Sequence, residues 1–291
     1  MDEGRRLVRL GLAQMSMVPD QGKNLAKAQR MIASAAKKGA DIVCLPELFT
    51  TMYFAQYDGQ DLSSDEKGAF LETIPGKVTD ALCQAADRHN VVVVGGSIYE
   101  RAGKWTYNTS IVADADGRML GKYRKTHVPH DDNFYEQHYF ERGDSGFPVF
   151  QTRHGRISVL ICYDQWFPEA ARCCALDGAE VIFYPTAIGT VQGIQQTEGN
   201  WKYAWENVMR GHAIANNVIV AAVNRCGVED RMTFWGGSFV IDAFGSTLSR
   251  APAKDTVVVT EADLDHSAEV RQGWGFFRNR RPACYSRIME K

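Results

Sequence analysis

The stretch "RISVLICYDQWFPEAARCCALDGAEVIFY", Arg156–Tyr184, decides the fold. Arg156–Cys162 is an apolar, strand-like run, and Val181–Tyr184 is a second one. Between them, "FPEAARCCALDGA" carries Pro just inside a helix start and Gly just past its end. Strand, helix and strand in this order predict an α/β unit. Other strand-like runs are rich in Val and Ile and bounded by Gly, Asp or Asn: Leu7–Gln14, Asp41–Leu45, Val91–Tyr99, Ser110–Ala113, Val218–Val223, Gly237–Ile241 and Thr256–Glu261. Helical patterns lie between several of them, in "NLAKAQRMIASAAKKGA", "TDALCQAADRHN" and "GNWKYAWENVMRGHAIANN". Runs such as "VVVVGG" lack polar alternation, so both faces of their sheets should be covered.

Composition narrows the function. The chain of 291 residues is 45% hydrophobic and 23% charged. At that length it can bury roughly three quarters of its unfolded surface without disulfide staples. With 33 basic against 35 acidic residues, the net charge of −2 gives no electrostatic reason to expect nucleic acid or an anionic membrane as partner. No apolar run approaches the ~20 residues that span a bilayer, and "MDEGRRLVRLGLAQ" does not read as a signal peptide. The seven cysteines are odd in number and include no CxxC pair, which suits a reducing cytoplasm. Cysteines and histidines show no paired spacing for zinc. GxGxxG and GxxxxGK[ST] are both absent, so nicotinamide and ATP chemistry have no support.

Three residues could carry chemistry. Cys162 ends a strand before a loop and helix, where open α/β sheets place functional groups, and a nearby helix N-terminus would favour its thiolate. A buried core thiol is the alternative. Glu47 follows the strand of "ADIVCLPELF" among Leu45, Leu48 and Phe49; desolvation there suits a general base, and a solvent-facing strand end is the alternative. In "GKYRKTHVPH", one of Lys122, Arg124 and Lys125 could stabilise an oxyanion from within a pocket; the run could also be a solvated face. His127 and His130 would suit a thiol-protease pattern with Cys162, but no protease signature surrounds it. Cys173 and Cys174 are adjacent in a helix and read as core, as does Cys44.

Together "LPELF", "YRKTH" and "LICYDQWFPE" resemble the nitrilase, or carbon–nitrogen hydrolase, superfamily, whose Glu, Lys and Cys each end a separate strand segment. They correspond here to Glu47, Lys125 and Cys162, and a supporting second glutamate corresponds to Glu136 in "NFYEQHYFERGD". The resemblance runs from "LGLAQMS" to "RNRRPACYSRI". It is strongest to the N-carbamoylputrescine amidohydrolase branch, through "CYDQWFPEAAR", "YPTAIG" at Tyr184–Gly189, "ELFxxxYFxQ" at Glu47–Gln56 and "FYEQxYFxxGD" at Phe134–Asp144. Two departures are Tyr163, where that branch carries Trp after the cysteine, and "HDDN" at His130–Asn133, where its loop is richer in Gly and Pro.

The resemblance implies a four-layer αββα sandwich formed by residues 1–291 as one domain. Its tail, about 265–291, would contact a second subunit of a homo-oligomer, which is preferred over RNA binding for the basic, aromatic "RQGWGFFRNRRPACYSRI". It implies hydrolysis of a C–N bond in a small ureido compound such as N-carbamoylputrescine, with a small ω-amide or another N-carbamoyl compound as the alternative. A non-hydrolytic interaction protein on the same fold would not need the intact Glu47, Lys125 and Cys162. Glu47 would activate Cys162, Lys125 and the Tyr163 N–H would hold the oxyanion, and Glu136 would fix Lys125. No metal or organic cofactor is required. Relatives that act on carboxylate substrates carry arginines after the cysteine, where this chain has Gln165 and Trp166; an uncharged or cationic substrate tail is therefore expected. Asp131 and Asp132 could hold an ammonium or equally form a solvated turn, Tyr53 and Trp166 could pack the substrate's chain or serve ordinary packing, His127 would order the lysine loop, and Thr186 falls within "YPTAIG" beside the substrate.

Overall fold

The first sheet is built on strand Leu7–Gln14. It pairs antiparallel with Thr256–Asp263, Leu7 opposite Asp263, and parallel with Ile42–Cys44, Leu10 opposite Ile42. Ile42–Cys44 continues to Val92–Val94, then to Trp105–Ala113, which pairs with both Ile98–Ala102 and Met119–Arg124. The computed structural model describes residues 4–59 and 61–290.

Alternation along these short strands sends side chains to two apolar faces. Ile42, Cys44, Val92 and Val94 face one core, while Val43, Leu45, Val91 and Val93 face another. That is why the strands read as unbroken apolar runs. The outer face is covered by helices Gln21–Lys37 and Lys77–His89, through Ala28, Met31, Ile32 and Ala35 on the first and Val78, Leu82, Ala85 and Ala86 on the second.

The second sheet runs in the order Thr247–Arg250, Phe239–Ile241, Ile219–Asn224, Val181–Thr186, Gly155–Val159, Val149–Thr152. Its three central strands are parallel, with Val181 opposite both Ile157 and Ile219. Helices Pro168–Leu176 and Trp201–Asn216 cross between them and cover the outer face with Ala170, Ala171, Cys174, Trp205, Met209 and Ala213. The two sheets face each other between the helix pairs, so the fold is an αββα sandwich, as the sequence suggests.

Two departures from the sequence reading matter for the site. The expected strand Val91–Tyr99 is broken at Gly95–Ser97. Gly96 adopts φ +53°, and a Cβ there would lie 2.1 Å from the Pro46 carbonyl oxygen. The chain turns at this point to hold the loop after Ile42–Cys44: Ser97 Oγ accepts the Leu48 N–H at 2.9 Å, and the Ser97 carbonyl accepts that of Phe49 at 3.2 Å. Unforeseen as well is a small sheet of Gly189–Val191, Met232–Trp235 and Cys226–Glu229. Gly189 fits there because a Cβ would lie 2.2 Å from the Thr233 carbonyl oxygen.

Candidate active site

Glu47, Lys125 and Glu136 meet inside the protein, each 1% exposed or less. Glu47 follows Ile42–Cys44 in the loop that Ser97 holds. Lys125 follows strand Met119–Arg124, and alternation settles which of the three basic residues turns inward. Lys122 and Arg124 share the other face and pair with Glu100 at 2.5 and 2.8 Å. Glu136 opens the 3₁₀ turn Glu136–His138. Lys125 Nζ donates to Glu47 Oε1 at 2.8 Å and to Glu136 Oε2 at 2.6 Å. Asn108 Nδ2 also donates to Glu47 Oε1, at 2.9 Å, and the Tyr53 hydroxyl donates to Glu136 Oε1 at 2.9 Å. Glu47 Oε2 is buried with no hydrogen-bond partner among the described residues. A buried carboxylate oxygen left bare is costly, and one held ready to accept a proton has a reason to remain so.

Cys162 lies beside this cluster. Strand Gly155–Val159 ends three residues before the expected boundary, and Cys162 opens a 3₁₀ turn, Cys162–Trp166, at φ +42°. A non-glycine residue in that conformation is strained and persists only where its surroundings over-determine it. Here Asp164 supplies the constraint. It is fully buried, and it accepts the Ile161 N–H at 2.8 Å, the Tyr123 hydroxyl at 2.7 Å and the His127 N–H at 3.0 Å. On the far side, Trp205 donates to Gln165 Oε1 at 2.9 Å and His212 Nε2 donates to the Gln165 carbonyl at 2.7 Å. Burial lowers the pKa of His212, which suits a neutral donor.

The charges shape one another. Burial pushes the Cys162 thiol well above its usual value, and the Glu47 charge adds to this, while Lys125 pulls the other way. The helix after the nucleophile begins at Pro168, one 3₁₀ turn beyond Cys162. The resting thiol is thus protonated and needs a base. Burial also raises the Glu136 carboxyl, to about 7, against the opposing pull of Lys125. Lys125 stays charged: burial acts to lower its pKa, but Glu136 and Glu47 together raise it well above the ordinary range.

A cavity of about 320 Å³ opens onto Cys162 and Glu136. Tyr53, Asp131, Tyr163 and Trp166, four of the candidates named from the sequence, line it together with Phe134 and Trp201. Three expected residues lie elsewhere. His127 is stacked on Phe167 at 3.7 Å between ring centroids, its Nδ1 2.7 Å from Asp164, so it orders the lysine loop from outside the cavity. Thr186 is buried and turns its hydroxyl back to the Tyr184 carbonyl at 2.9 Å. Asp132 faces out, 3.4 Å from the Tyr135 hydroxyl. A larger cavity, about 480 Å³, lies between helices Pro168–Leu176 and Trp201–Asn216 and the tail, and no cysteine lines it.

Sequence reasoning missed Asn108, Asp164, Arg225 and Glu229. Asp164 had a signal, since it stands two residues after Cys162. Asn108 sits in the polar run "TYNTS", where an inward polar residue is anomalous on a strand. Among the described residues, no group of three or more His, Cys, Asp or Glu is arranged to hold a metal ion, and no helix is long and apolar enough to cross a membrane.

Residues 9–272 match the carbon-nitrogen hydrolase family. The N-carbamoylputrescine amidase of Solanum lycopersicum is 40% identical, over 99% of this chain and 97% of its own. The citrullinase of Francisella tularensis subsp. tularensis is 36% identical, over 98% of this chain and 99% of its own. The crystal structure of a carbon-nitrogen hydrolase from Helicobacter pylori G27 superposes with a TM-score of 0.88 at 34% identity, covering 98% of this chain and 99% of that one.

Proposed function

The chain belongs to the carbon–nitrogen hydrolase family, and on that premise we propose that it hydrolyses a ureido compound with a cationic tail, N-carbamoylputrescine fitting best, through a covalent intermediate on Cys162. The observation that carries this reading is the bare, buried Glu47 Oε2 in a cluster whose charges act on the Cys162 thiol. Glu47 takes the thiol proton as sulfur attacks the ureido carbon. An ammonium has three donors; two of those on Lys125 are committed to Glu47 and Glu136. The third, with the Tyr163 N–H, receives the developing oxyanion. Glu47 then passes its proton to the departing nitrogen and the C–N bond breaks; it next takes a proton from the water that attacks the S-acyl carbon and returns it to sulfur as the C–S bond breaks, freeing Cys162 and a carbamic acid that loses CO2. Glu136 holds Lys125 by a charge-assisted hydrogen bond.

The tail specificity comes from the cavity wall. Phe134, Trp166 and Trp201 offer apolar surface to a short alkyl chain, and Asp131, exposed on the same wall, offers a carboxylate to a terminal ammonium. Ammonia release should therefore be fastest with N-carbamoylputrescine in a panel that includes citrulline, N-carbamoyl-β-alanine, an N-carbamoyl-D-amino acid and a small ω-amide. Asp131→Asn should raise KM for the putrescine compound by about tenfold and leave kcat within about twofold, the signature of uniform binding. Preference for a carboxylate substrate, or an unmoved KM in Asp131→Asn, would overturn the tail assignment.

The tail pairs this chain with a second copy. Trp274, Tyr285, Ile288 and Met289 are exposed on it, an apolar set that a partner would cover. Protein ending at residue 275 should sediment as a smaller species than the full chain; equal sizes would refute the assignment. The seven cysteines are all free, in keeping with a cytoplasmic home.

A further inference from the structure

We propose that the buried pair Arg225–Glu229 is the positioning device of this site: it fixes Glu47 and Tyr53 through the backbone that joins them and so governs the chemical step without touching substrate. The inference rests on the reading of Glu47 as the base.

Arg225 precedes strand Cys226–Glu229 and Glu229 ends it. Four residues apart on an extended chain, they share one face. Both are 1% exposed or less. The guanidinium meets the carboxylate as a fork, Nε to Oε1 at 3.2 Å and Nη2 to Oε2 at 2.9 Å. What remains of each group goes to one segment of backbone. Arg225 Nη1 donates to the carbonyls of Glu47 and Leu48, both at 3.4 Å, and Nη2 donates to that of Thr51 at 2.6 Å. Glu229 Oε2 accepts the Tyr53 N–H at 2.7 Å. The pair thus grips residues 47, 48, 51 and 53.

That segment needs gripping. Leu48, next to the proposed base, sits at φ +46°, a conformation a leucine adopts only when its surroundings impose it. At the far end, Tyr53 donates to Glu136, the second carboxylate on Lys125. One ion pair therefore sets the base at one end of the segment and the ammonium's other partner at the opposite end. Neither residue lines the cavity. A buried ion pair is poor value for stability alone, because an apolar pair of the same volume often serves as well. Only an arginine fork, however, can bond a carboxylate and several carbonyls at once. The residue types match the backbone they hold.

The test uses Arg225→Lys and the double variant Arg225→Met/Glu229→Met, each with and without Glu47→Gln. Steady-state kinetics on the best substrate of the panel give kcat and KM, and iodoacetamide gives the alkylation rate of Cys162. We expect either variant to lower kcat by about 10- to 100-fold with KM within about twofold, and to slow alkylation. In the Glu47→Gln background neither should slow alkylation further, since groups acting through one another are not additive. Folded variants with native kcat, or losses that multiply with that of Glu47→Gln, would overturn the proposal. If the double variant does not fold, Arg225→Lys, which keeps the charge opposite Glu229, decides alone. Native activity in Glu47→Gln by itself would instead refute the reading of the base.

Discussion

Purified Cys162→Ala protein is expected to release ammonia at no more than about 10⁻⁴ of the native rate, because a chain that acts through a covalent intermediate has no route left once the nucleophile is gone. Among the described residues, Cys162 is the only cysteine that lines the cavity. Cys44 faces the space between the sheets, and Cys174 lies on the buried face of helix Pro168–Leu176. Burial holds the thiol of Cys44 well above its usual value and pushes that of Cys174 up to about 12. Neither lines the cavity. The loss should not come from unfolding. Alanine tolerates φ +42° no worse than cysteine does, and the Asp164 bonds that fix the turn remain. Thermal unfolding should therefore shift little while activity disappears. Wild-type protein quenched in acid during turnover should carry the mass of the acyl fragment, the substrate less its departing nitrogen group, on the peptide containing Cys162, and the variant should carry none. Activity above about one per cent in Cys162→Ala would end the covalent reading.

How far the sequence could take a reader depends on the distance between partners. Glu47 and Cys162 stood out because each follows an apolar, strand-like run, whereas Lys125 is separated from Lys122 and Arg124 only by the family resemblance of "YRKTH". The strands themselves were legible because burial on both faces leaves an unbroken Val and Ile signal. Val91–Tyr99 was misread as one strand, because its break at Gly96 is imposed by the Pro46 carbonyl and not by its own composition. The small sheet escaped because "RCGVE" and "MTFW" alternate like any surface hairpin. Arg225 was invisible for a further reason: the carbonyls it serves lie 174 to 178 positions away in the chain. His127 shows the opposite case. A histidine near a nucleophile invites a catalytic role, and the fold spends it on Asp164 and Phe167.

Lys125→Met should cost both rate and stability, and the stability loss should grow with pH. The rate loss is expected at about 10³-fold, since the oxyanion loses a charged donor. The stability loss follows from what the ammonium leaves behind. Glu47 and Glu136 both point at Nζ, at 2.8 and 2.6 Å, and no other cation reaches them among the described residues. Breaking a buried pair by removing one partner costs about 3–5 kcal/mol, because the other charge stays buried and unmatched. The sign of the pH effect is set by Glu136. Burial already raises its folded value above its unfolded one, with Lys125 opposing the rise. Without Lys125 the folded value climbs further. A carboxyl whose folded pKa lies above its unfolded pKa favours the fold below the unfolded value, and that contribution is lost as pH rises through the folded value. Unfolding temperature should therefore fall from about pH 5 to about pH 8 more steeply in Lys125→Met than in the native chain. Parallel curves for the two proteins would mean that the carboxylates do not feel the loss of the lysine. The buried cluster would then not be the electrostatic unit from which the proposed mechanism is built.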